Sequence, residues 1–138
     1  MKTINSILLI DDDDAANFFN EIVISKSVFD IQDISIARNG QIALDFLQDC
    51  HQQGNTLPDI IFLDINMPIM NGWEFLEEFA TLKFCENVQV IAMLSSSYND
   101  QDQKKAENYE PIKTFIRKPL TTIKVNEILQ EYFDNIID

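Results

Sequence analysis

The stretch "LLIDDDDAANFF" (residues 8–19) passes from an apolar run directly into four aspartates. Like charges this close repel one another, and a carboxylate at the edge of a core is costly unless a cation or a donor pairs with it. The apolar run has the character of a buried strand, and Asp13 or Asp14 is well placed to cap a helix that follows it. The stretch therefore predicts a strand that ends in a polar site needing a cation or partner.

The same pattern, a short apolar run followed by an amphipathic stretch, repeats along the chain. Most runs are continuously apolar and rich in Ile, Leu and Val, as expected of strands covered on both faces. The second run alternates instead, so we expect it nearer an edge of the sheet. The repeat predicts an α/β fold, a doubly wound parallel sheet with helices on both faces. The five expected strands occupy residues 6–10, 33–37, 59–64, 88–94 and 113–118.

Apolar residues at helical spacing mark the helix faces that should pack on this sheet. The stretch 96–110 is very polar and offers only Ala106 and Tyr109 as core contacts, so its helix should be short or mobile. The expected core-facing residues of the other four helices are Phe18, Phe19, Ile22 and Val23; Ala43, Phe46, Leu47 and Cys50; Phe75, Leu76, Phe79 and Leu82; and Ile128, Leu129, Tyr132 and Phe133.

Length and charge limit the possible functions. The chain has 138 residues, which fits one domain, and 46% of them are hydrophobic. Its formal net charge of −13 argues against a nucleic-acid surface and against binding to an anionic membrane. No apolar run approaches the length of a bilayer span, and the N-terminus lacks the core of a signal peptide. A cytoplasmic protein with no nucleic-acid or membrane partner is the expectation.

The sulfur and imidazole groups give no sign of a metal site or a catalytic triad. Cys50 and Cys85 have no metal-ligand spacing and are expected to be reduced, partly buried thiols. His51 is the single histidine, and it lies in a polar stretch near a predicted helix end. The sequence therefore gives little support for a histidine-based metal site or catalytic triad.

Polar side chains stand at the carboxyl ends of four of the five predicted strands. Ligands of doubly wound sheets bind outside these ends, where the strand order reverses, so these groups should converge. Together they are three carboxylates, hydroxyls and one ammonium. In chain order they are Asp11 and Asp12, Asp64, Ser95 and Ser96, and Lys118.

This set of groups suits phosphoryl transfer onto a carboxylate. Carboxylates without histidine or cysteine form a hard-oxygen site that fits Mg²⁺. A carboxylate there can also attack phosphorus, and the positive charge that the transfer needs comes from Mg²⁺ and Lys118. The Ser95 hydroxyl and a backbone N–H are further donors. Each group alone has an ordinary structural explanation, such as a helix cap or a solvated lysine, but four strand ends in one pattern are hard to ascribe to capping.

At these motifs the chain resembles the receiver domains of two-component response regulators, including the stand-alone chemotaxis regulator. The resemblance covers essentially the whole chain and implies one receiver domain over residues 1–138 with no output domain. It also implies a flavodoxin-like (βα)5 fold with strand order 2-1-3-4-5. The matching segments are "ILLIDDD" (7–13), "DIIFLDINMPIMNGWEFL" (59–76), "VIAMLSS" (90–96) and "FIRKPLT" (115–121).

The resemblance implies roles for the acidic residues. Asp64 corresponds to the phosphoacceptor. Asp12 corresponds to a direct Mg²⁺ ligand, and Asp11 acts mainly through water. Asn66 would offer its backbone carbonyl to the metal.

Further residues correspond to the switch that responds to phosphorylation. Ser95 matches the switch hydroxyl, and the backbone N–H of Ser96 would donate to the phosphoryl group. Lys118 matches the lysine that pairs with the phosphate, and Phe115 matches the aromatic residue whose rotamer reports phosphorylation. The bond between Lys118 and Pro119 is similar to one that is cis in this family.

The implied mechanism involves two partners. A sensor histidine kinase or a histidine phosphotransferase donates the phosphoryl group, and the face formed by helix 4, strand 5 and helix 5 then changes for an unknown downstream protein. The chain itself would be a monomer or a weak homodimer, with no enzymatic activity beyond Mg²⁺-dependent self-phosphorylation and self-dephosphorylation.

Three alternative functions fit the sequence less well. A phosphatase of the haloacid-dehalogenase class would need an acid two residues after its nucleophile, where this chain has Asn66. A receiver-like adaptor that is never phosphorylated could do without Asp64 or Lys118, which are both present. A DNA-binding regulator would need an output domain, but the chain ends at "YFDNIID", straight after the last predicted helix.

Overall fold

The computed structural model describes residues 2–96 and 100–134, and its centre is a five-stranded parallel sheet. The strands are β1 (Ile7–Ile10), β2 (Ile34–Ala37), β3 (Ile60–Asp64), β4 (Val90–Ser95) and β5 (Ile112–Arg117). Their order is β2-β1-β3-β4-β5, with every neighbouring pair parallel. The flavodoxin-like fold and the strand order 2-1-3-4-5 are confirmed, and so is the edge position of β2. A two-residue parallel ladder, Thr3–Ile4 with Asp30–Ile31, adds a second small sheet.

Helices cover both faces of the sheet, as the continuously apolar strands require. One core holds residues of α1 and α5 with one face of the strands, and the other holds residues of α2, α3 and α4 with the opposite face. All five residues of β3 are buried, which places this strand at the centre. The helices are α1 (Asp14–Ser25), α2 (Gly40–Gln52), α3 (Gly72–Thr81), α4 (Asp100–Ala106) and α5 (Thr122–Phe133), with a 3₁₀ turn at Lys83–Asn87.

The predicted core face of α1 is wrong. Phe18, Phe19 and Ile22 are 68%, 49% and 41% exposed, and of the four expected residues only Val23 is buried. The rotation of the helix is set by polar contacts at its start. The Asp13 side chain caps it by accepting from the Ala15 N–H, and the buried Asn17 amide donates to the Asp11 carbonyl at 2.9 Å. With Asn17 turned inward, its neighbours Phe18 and Phe19 point toward solvent.

The other helix faces follow the sequence more closely. On α2, Ala43 and Leu47 are buried as expected, Leu44 is buried in addition, and Phe46 and Cys50 are only half-buried. The stripes of α3 and α5 pack into the core, with Leu82 and Tyr132 at its margin. In the described part of the chain α4 spans Asp100–Ala106, with Ala106 alone buried, in agreement with the expectation of a short, very polar helix. Residues 97–99, which the expected helix included, lie outside the described residues.

The thiols and the histidine lie as the sequence suggested. Cys50 is half-buried and Cys85 is buried, and both are free thiols. Burial raises the pKa of Cys85 to about 11, so this thiol is protonated at neutral pH. His51 is exposed in the last turn of α2, where its ring stacks on Phe84 with 4.3 Å between centroids. Across residues 2–96 and 100–134, no helix has both the length and the apolar character needed to cross a membrane.

Candidate functional site

Three carboxylates meet at the carboxyl end of the two central strands. Asp64 is the last residue of β3, and Asp11 and Asp12 directly follow β1. The two strands pair with Ile10 opposite Leu63, which sets the acidic groups side by side. One oxygen from each of the three carboxylates lies within 4.8 Å of the others. Asp11 and Asp64 are 3% and 7% exposed, whereas Asp12 is exposed, so the cluster opens to solvent on one side.

Asp11 is fixed in place by its surroundings. Its backbone N–H donates to the Ala37 carbonyl at 3.0 Å, and its side-chain Oδ1 accepts from the Asp13 N–H at 3.0 Å. The Asn17 amide holds the Asp11 carbonyl, as described above. A carboxylate oriented by several hydrogen bonds needs little reorganisation when it binds a cation, directly or through water.

Lys118 is the cation that pairs with two of the carboxylates. Its Nζ lies 2.8 Å from Asp64 Oδ1 and 3.4 Å from Asp11 Oδ2. The residue directly follows β5, and its backbone N–H donates to the Ser95 carbonyl at 2.8 Å. The peptide bond between Lys118 and Pro119 is cis, which confirms the expectation.

Burial and mutual charge shift the pKa values of both Asp64 and Lys118. Burial raises the pKa of Asp64 above its ordinary value; the hydrogen bond from Lys118 opposes this rise, and the Asp11 charge adds to it. For Lys118, burial lowers the pKa, but the hydrogen bond and charge of Asp64 and the charge of Asp11 outweigh it, so the pKa is raised. Lys118 is therefore protonated at neutral pH, and it neutralises part of a crowded acidic site.

The predicted hydroxyl lies at the same edge of the sheet. Ser95 is the last residue of β4, 2% exposed, and directly follows Leu94, the register partner of Asp64. Its hydroxyl donates to Asp102 Oδ2 on α4 at 3.3 Å. Sequence reasoning missed Asp102, although it lies in the acidic first turn of a predicted helix.

Two other predicted residues flank this edge. Ser96 is exposed and lines a surface pocket of about 300 Å³ together with Lys118 and Phe19. Phe115 is half-buried on β5, paired in register with Met93. Ser96 therefore directly follows the strand that ends in Ser95, and Phe115 lies on the neighbouring strand.

The loop between β3 and α3 carries Asn66 and is held at both ends. Asn66 is exposed two residues after Asp64. The Gly40 N–H donates to the Met70 carbonyl at 3.1 Å, and the Gly72 N–H donates to the Ile65 carbonyl at 2.8 Å. This second contact brings the start of α3 against the backbone of Asp64.

Gly72 is a requirement of this close approach. A Cβ at Gly72 would lie 2.5 Å from the Asp64 carbonyl oxygen and 3.0 Å from Ile65 Cα, both backbone atoms. We expect Gly72→Ala to lower the free energy of unfolding by about 2 kcal/mol or more, because the added methyl group would clash with backbone atoms that must then shift. Gly40→Ala is the matched control, because its Cβ would meet the flexible Met70 side chain at 2.7 Å. Urea unfolding measures the stability of both variants. A loss in Gly72→Ala no larger than that in Gly40→Ala would show that the Asp64 backbone adjusts as readily as the Met70 side chain.

The donors of the acidic cluster are suited to a hard cation. All three side chains offer carboxylate oxygens, and His51 is remote, in the last turn of α2. Mg²⁺ favours such a site, where one or two carboxylates, waters and phosphate oxygens complete its coordination. The arrangement can bind a divalent cation and hold a phosphoryl group between that cation and Lys118.

Comparison with known proteins agrees with this geometry. Residues 7–130 match the family model "Response regulator receiver domain". The response regulator Rcp1 of Synechocystis is 32% identical over 97 residues, covering 70% of this chain and 65% of that protein. The crystal structure of a two-component response regulator from Cytophaga hutchinsonii is 34% identical with a TM-score of 0.87, covering 97% of this chain and all of that one.

Some relatives are much longer than this chain. A protein-glutamate methylesterase/protein-glutamine glutaminase of Desulfotalea psychrophila is 31% identical over 103 residues, which cover 73% of this chain but only 26% of that protein. The match to the family model spans nearly the whole described fold, including β1 to β5 and most of α5. The chain belongs to the response regulator receiver domain family.

Proposed function

We propose that this chain accepts a phosphoryl group on Asp64 from a phosphohistidine of a histidine kinase or phosphotransfer protein, and so controls a downstream protein. The observation that carries the proposal is the buried Asp64 carboxylate, which is hydrogen-bonded by Lys118 and adjoins Asp11 and Asp12. Receiver domains in general are not enzymes in their own right, and the activity proposed here is limited to self-phosphorylation and self-dephosphorylation. We also propose a cytoplasmic location, because a histidine kinase takes its phosphoryl group from ATP.

The chemistry follows from the groups present. An ionised Asp64 oxygen forms a bond to phosphorus while the bond from phosphorus to the imidazole nitrogen breaks. The imidazole keeps the electron pair and gains a proton from solvent. No general base is needed because the nucleophile is already ionised, and the Lys118 ammonium stabilises the charge on the transferring oxygens.

Asp11, Asp12, Asp64 and the backbone carbonyl of Asn66 would hold Mg²⁺. When bound, the cation supplies positive charge at the phosphoryl oxygens and relieves the repulsion among the carboxylates. The exposed position of Asp12 gives such a cation access from solvent.

The switch would begin at Ser95. Its hydroxyl and the Ser96 backbone N–H would donate to the phosphoryl group, and Phe115 would fill the space that Ser95 leaves. The face formed by α4, β5 and α5 would then change its conformation for the downstream protein. We further propose that residues 1–138 act as one receiver domain, monomeric or weakly dimeric.

The exposed apolar face of α1 is the proposed docking site for the phosphodonor. Phe18, Phe19 and Ile22 project from the helix that begins beside the acidic cluster. Phe19 also lines the pocket that contains Lys118 and Ser96. A protein that brings phosphohistidine to Asp64 must cover this edge, and apolar side chains there favour protein contacts.

Replacing Phe18 by serine should weaken the donor interaction without harming the acceptor. We expect phosphotransfer from the fastest donor in a panel of autophosphorylated histidine kinases to fall about tenfold, with the rate from acetyl phosphate unchanged. Ile42→Ser is the control, since Ile42 is 46% exposed on α2, at the opposite face of the sheet. Equal loss in both variants, or a loss with acetyl phosphate, would argue against docking on α1.

The test of the proposed function is intact mass spectrometry after incubation with acetyl phosphate and Mg²⁺. We expect one phosphoryl adduct that requires Mg²⁺, is lost with a chelator, and is labile at alkaline pH. A folded protein that binds Mg²⁺ but gains no adduct from acetyl phosphate or from any donor of the kinase panel would instead be a receiver-like adaptor that is never phosphorylated.

A further inference from the structure

The hydroxyl of Ser95 is engaged by a carboxylate outside the acidic cluster. Asp102 Oδ2 accepts from Ser95 Oγ at 3.3 Å, and Asp102 lies in the first turn of α4. Asp102 is half-buried, whereas its neighbours on α4, Gln101 and Gln103, are exposed. The contact therefore joins the end of β4, at the acceptor site, to the start of α4.

The hydrogen bond from Ser95 to Asp102 cannot coexist with the one proposed for the phosphorylated protein, from Ser95 to a phosphoryl oxygen. A serine hydroxyl carries a single hydrogen, so Ser95 can donate to Asp102 or to a phosphoryl oxygen on Asp64, but not to both. A phosphoryl group on Asp64 also brings further negative charge toward the Asp102 carboxylate. If Ser95 donates to the phosphoryl group as proposed, its bond to Asp102 must break, and the added charge repels the first turn of α4.

Two further features also bear on the position of α4. Ala106, the buried residue of the helix, is at its far end. An ion pair joins Arg117 to Asp100 at 3.0 Å, but these side chains are 39% and 75% exposed, and exposed pairs contribute little. The bond between Ser95 and Asp102 is more enclosed than this ion pair, so it should contribute more than the ion pair to the position of α4.

We propose that Asp102 is a positioning residue that restrains Ser95 and α4 in the unphosphorylated state and opposes phosphorylation of Asp64. The proposal rests on the proposed function. Removing the carboxylate raises the population in which the Ser95 hydroxyl is available to the phosphoryl oxygens, and this population is the one that accepts the phosphoryl group most readily.

The fluorescence of Trp73 can report the position of α4. Trp73 is the single tryptophan and lies on α3. Lys105 of α4 lies with its Nζ 4.7 Å from the Trp73 ring centroid. The Tyr109 ring, just after α4, lies 5.3 Å from it. A displaced α4 alters both contacts, so the emission of Trp73 should change with it.

The experiment is a double-mutant cycle on the full chain with Asp102→Ala, Ser95→Ala and both together. One readout is the rate of adduct formation with acetyl phosphate and Mg²⁺. The other is Trp73 emission, with and without beryllofluoride as an unreactive phosphoryl mimic. We expect Asp102→Ala to form the adduct about fivefold faster, in line with the net contribution of one ordinary intramolecular hydrogen bond. Its emission without phosphate should move toward that of the wild type with beryllofluoride.

In the Ser95→Ala background, Asp102→Ala should change neither readout. A fivefold gain that persists there would mean that the Asp102 charge acts on the site directly, which would overturn the proposal. Glu107→Gln is the charge control: it removes one exposed carboxylate just after α4 and should alter neither readout. Asp102→Asn keeps the shape of the side chain and guards against a folding defect, with a smaller gain in rate expected.

The two proposals fail in different ways. A wild-type chain that forms no adduct overturns the proposed function, and the restraint by Asp102 with it. A wild-type chain that forms the adduct at the same rate and with the same Trp73 emission as Asp102→Ala overturns the restraint alone.

Discussion

Asp64→Asn is expected to abolish the phosphoryl adduct completely. The asparagine amide keeps the shape of the side chain, but it has no ionised oxygen to attack phosphorus. Asp11 and Asp12 do not replace it, because Asp11 is oriented by the Asp13 N–H and Asp12 lies on the exposed side of the cluster. Intact mass after incubation with acetyl phosphate and Mg²⁺ measures the outcome.

The same substitution should stabilise the metal-free protein at neutral pH. Burial raises the pKa of Asp64 above that of an unfolded aspartate, with a smaller contribution from Asp11. A raised pKa means that this carboxyl favours folding at low pH, and that this contribution is lost as pH rises through the folded pKa. Neutral asparagine avoids this loss, so we expect the free energy of unfolding at pH 7 to rise by about 1 kcal/mol. The gain should shrink as pH falls through the raised pKa of Asp64 and vanish once pH lies below the pKa of an unfolded aspartate.

Asp59→Asn, at the opposite end of β3, is the matched control. Asp59 Oδ2 accepts from the Asn5 N–H at 2.8 Å, so losing its charge should lower stability and leave the adduct intact. An adduct retained in Asp64→Asn would show that another residue is the acceptor. A metal-free Asp64→Asn that is less stable than the wild type at pH 7 would show that the pair with Lys118 outweighs the cost of burial.

The convergence of the acidic groups could be predicted because it depends only on strand direction. Parallel strands deliver their carboxyl ends to one edge, so Asp11 and Asp64 had to meet once β1 and β3 were adjacent. Lys118 and Ser95 follow by the same rule, since each stands at the end of its own strand. Continuous apolar runs likewise indicated a sheet covered on both faces.

What the sequence did not reveal depends on contacts between distant segments. The rotation of α1 is set by the bond from the Asn17 amide to the Asp11 carbonyl, and no hydrophobic pattern encodes it. The need for glycine at Gly72 arises only when the loop returns against the Asp64 carbonyl. The hydrogen bond from Ser95 to Asp102 depends on how the very polar helix α4 packs against the sheet.

Lys118→Ala is expected to slow adduct formation by about 100-fold. Removing one donor that stabilises a developing charge typically slows a reaction by this much. The ammonium lies 2.8 Å from Asp64 Oδ1, so it is placed to offset the negative charge of a phosphoryl group on that carboxylate. A bound cation supplies the remaining charge, so the reaction should be slowed and not abolished. The measurement is the time course of the adduct mass at saturating Mg²⁺.

Lys118→Ala also leaves Asp11 and Asp64 buried without their cation. We expect the free energy of unfolding to fall by about 2–3 kcal/mol in a chelator, because uncompensated buried charge is costly. Added Mg²⁺ should recover more stability in the variant than in the wild type, since it becomes the main countercharge. Lys113→Ala removes the same charge from an exposed position on β5 and should affect neither rate nor stability. If both variants slowed the adduct equally, the effect would come from net charge, and the contact between Lys118 and Asp64 would have no special part in the transfer.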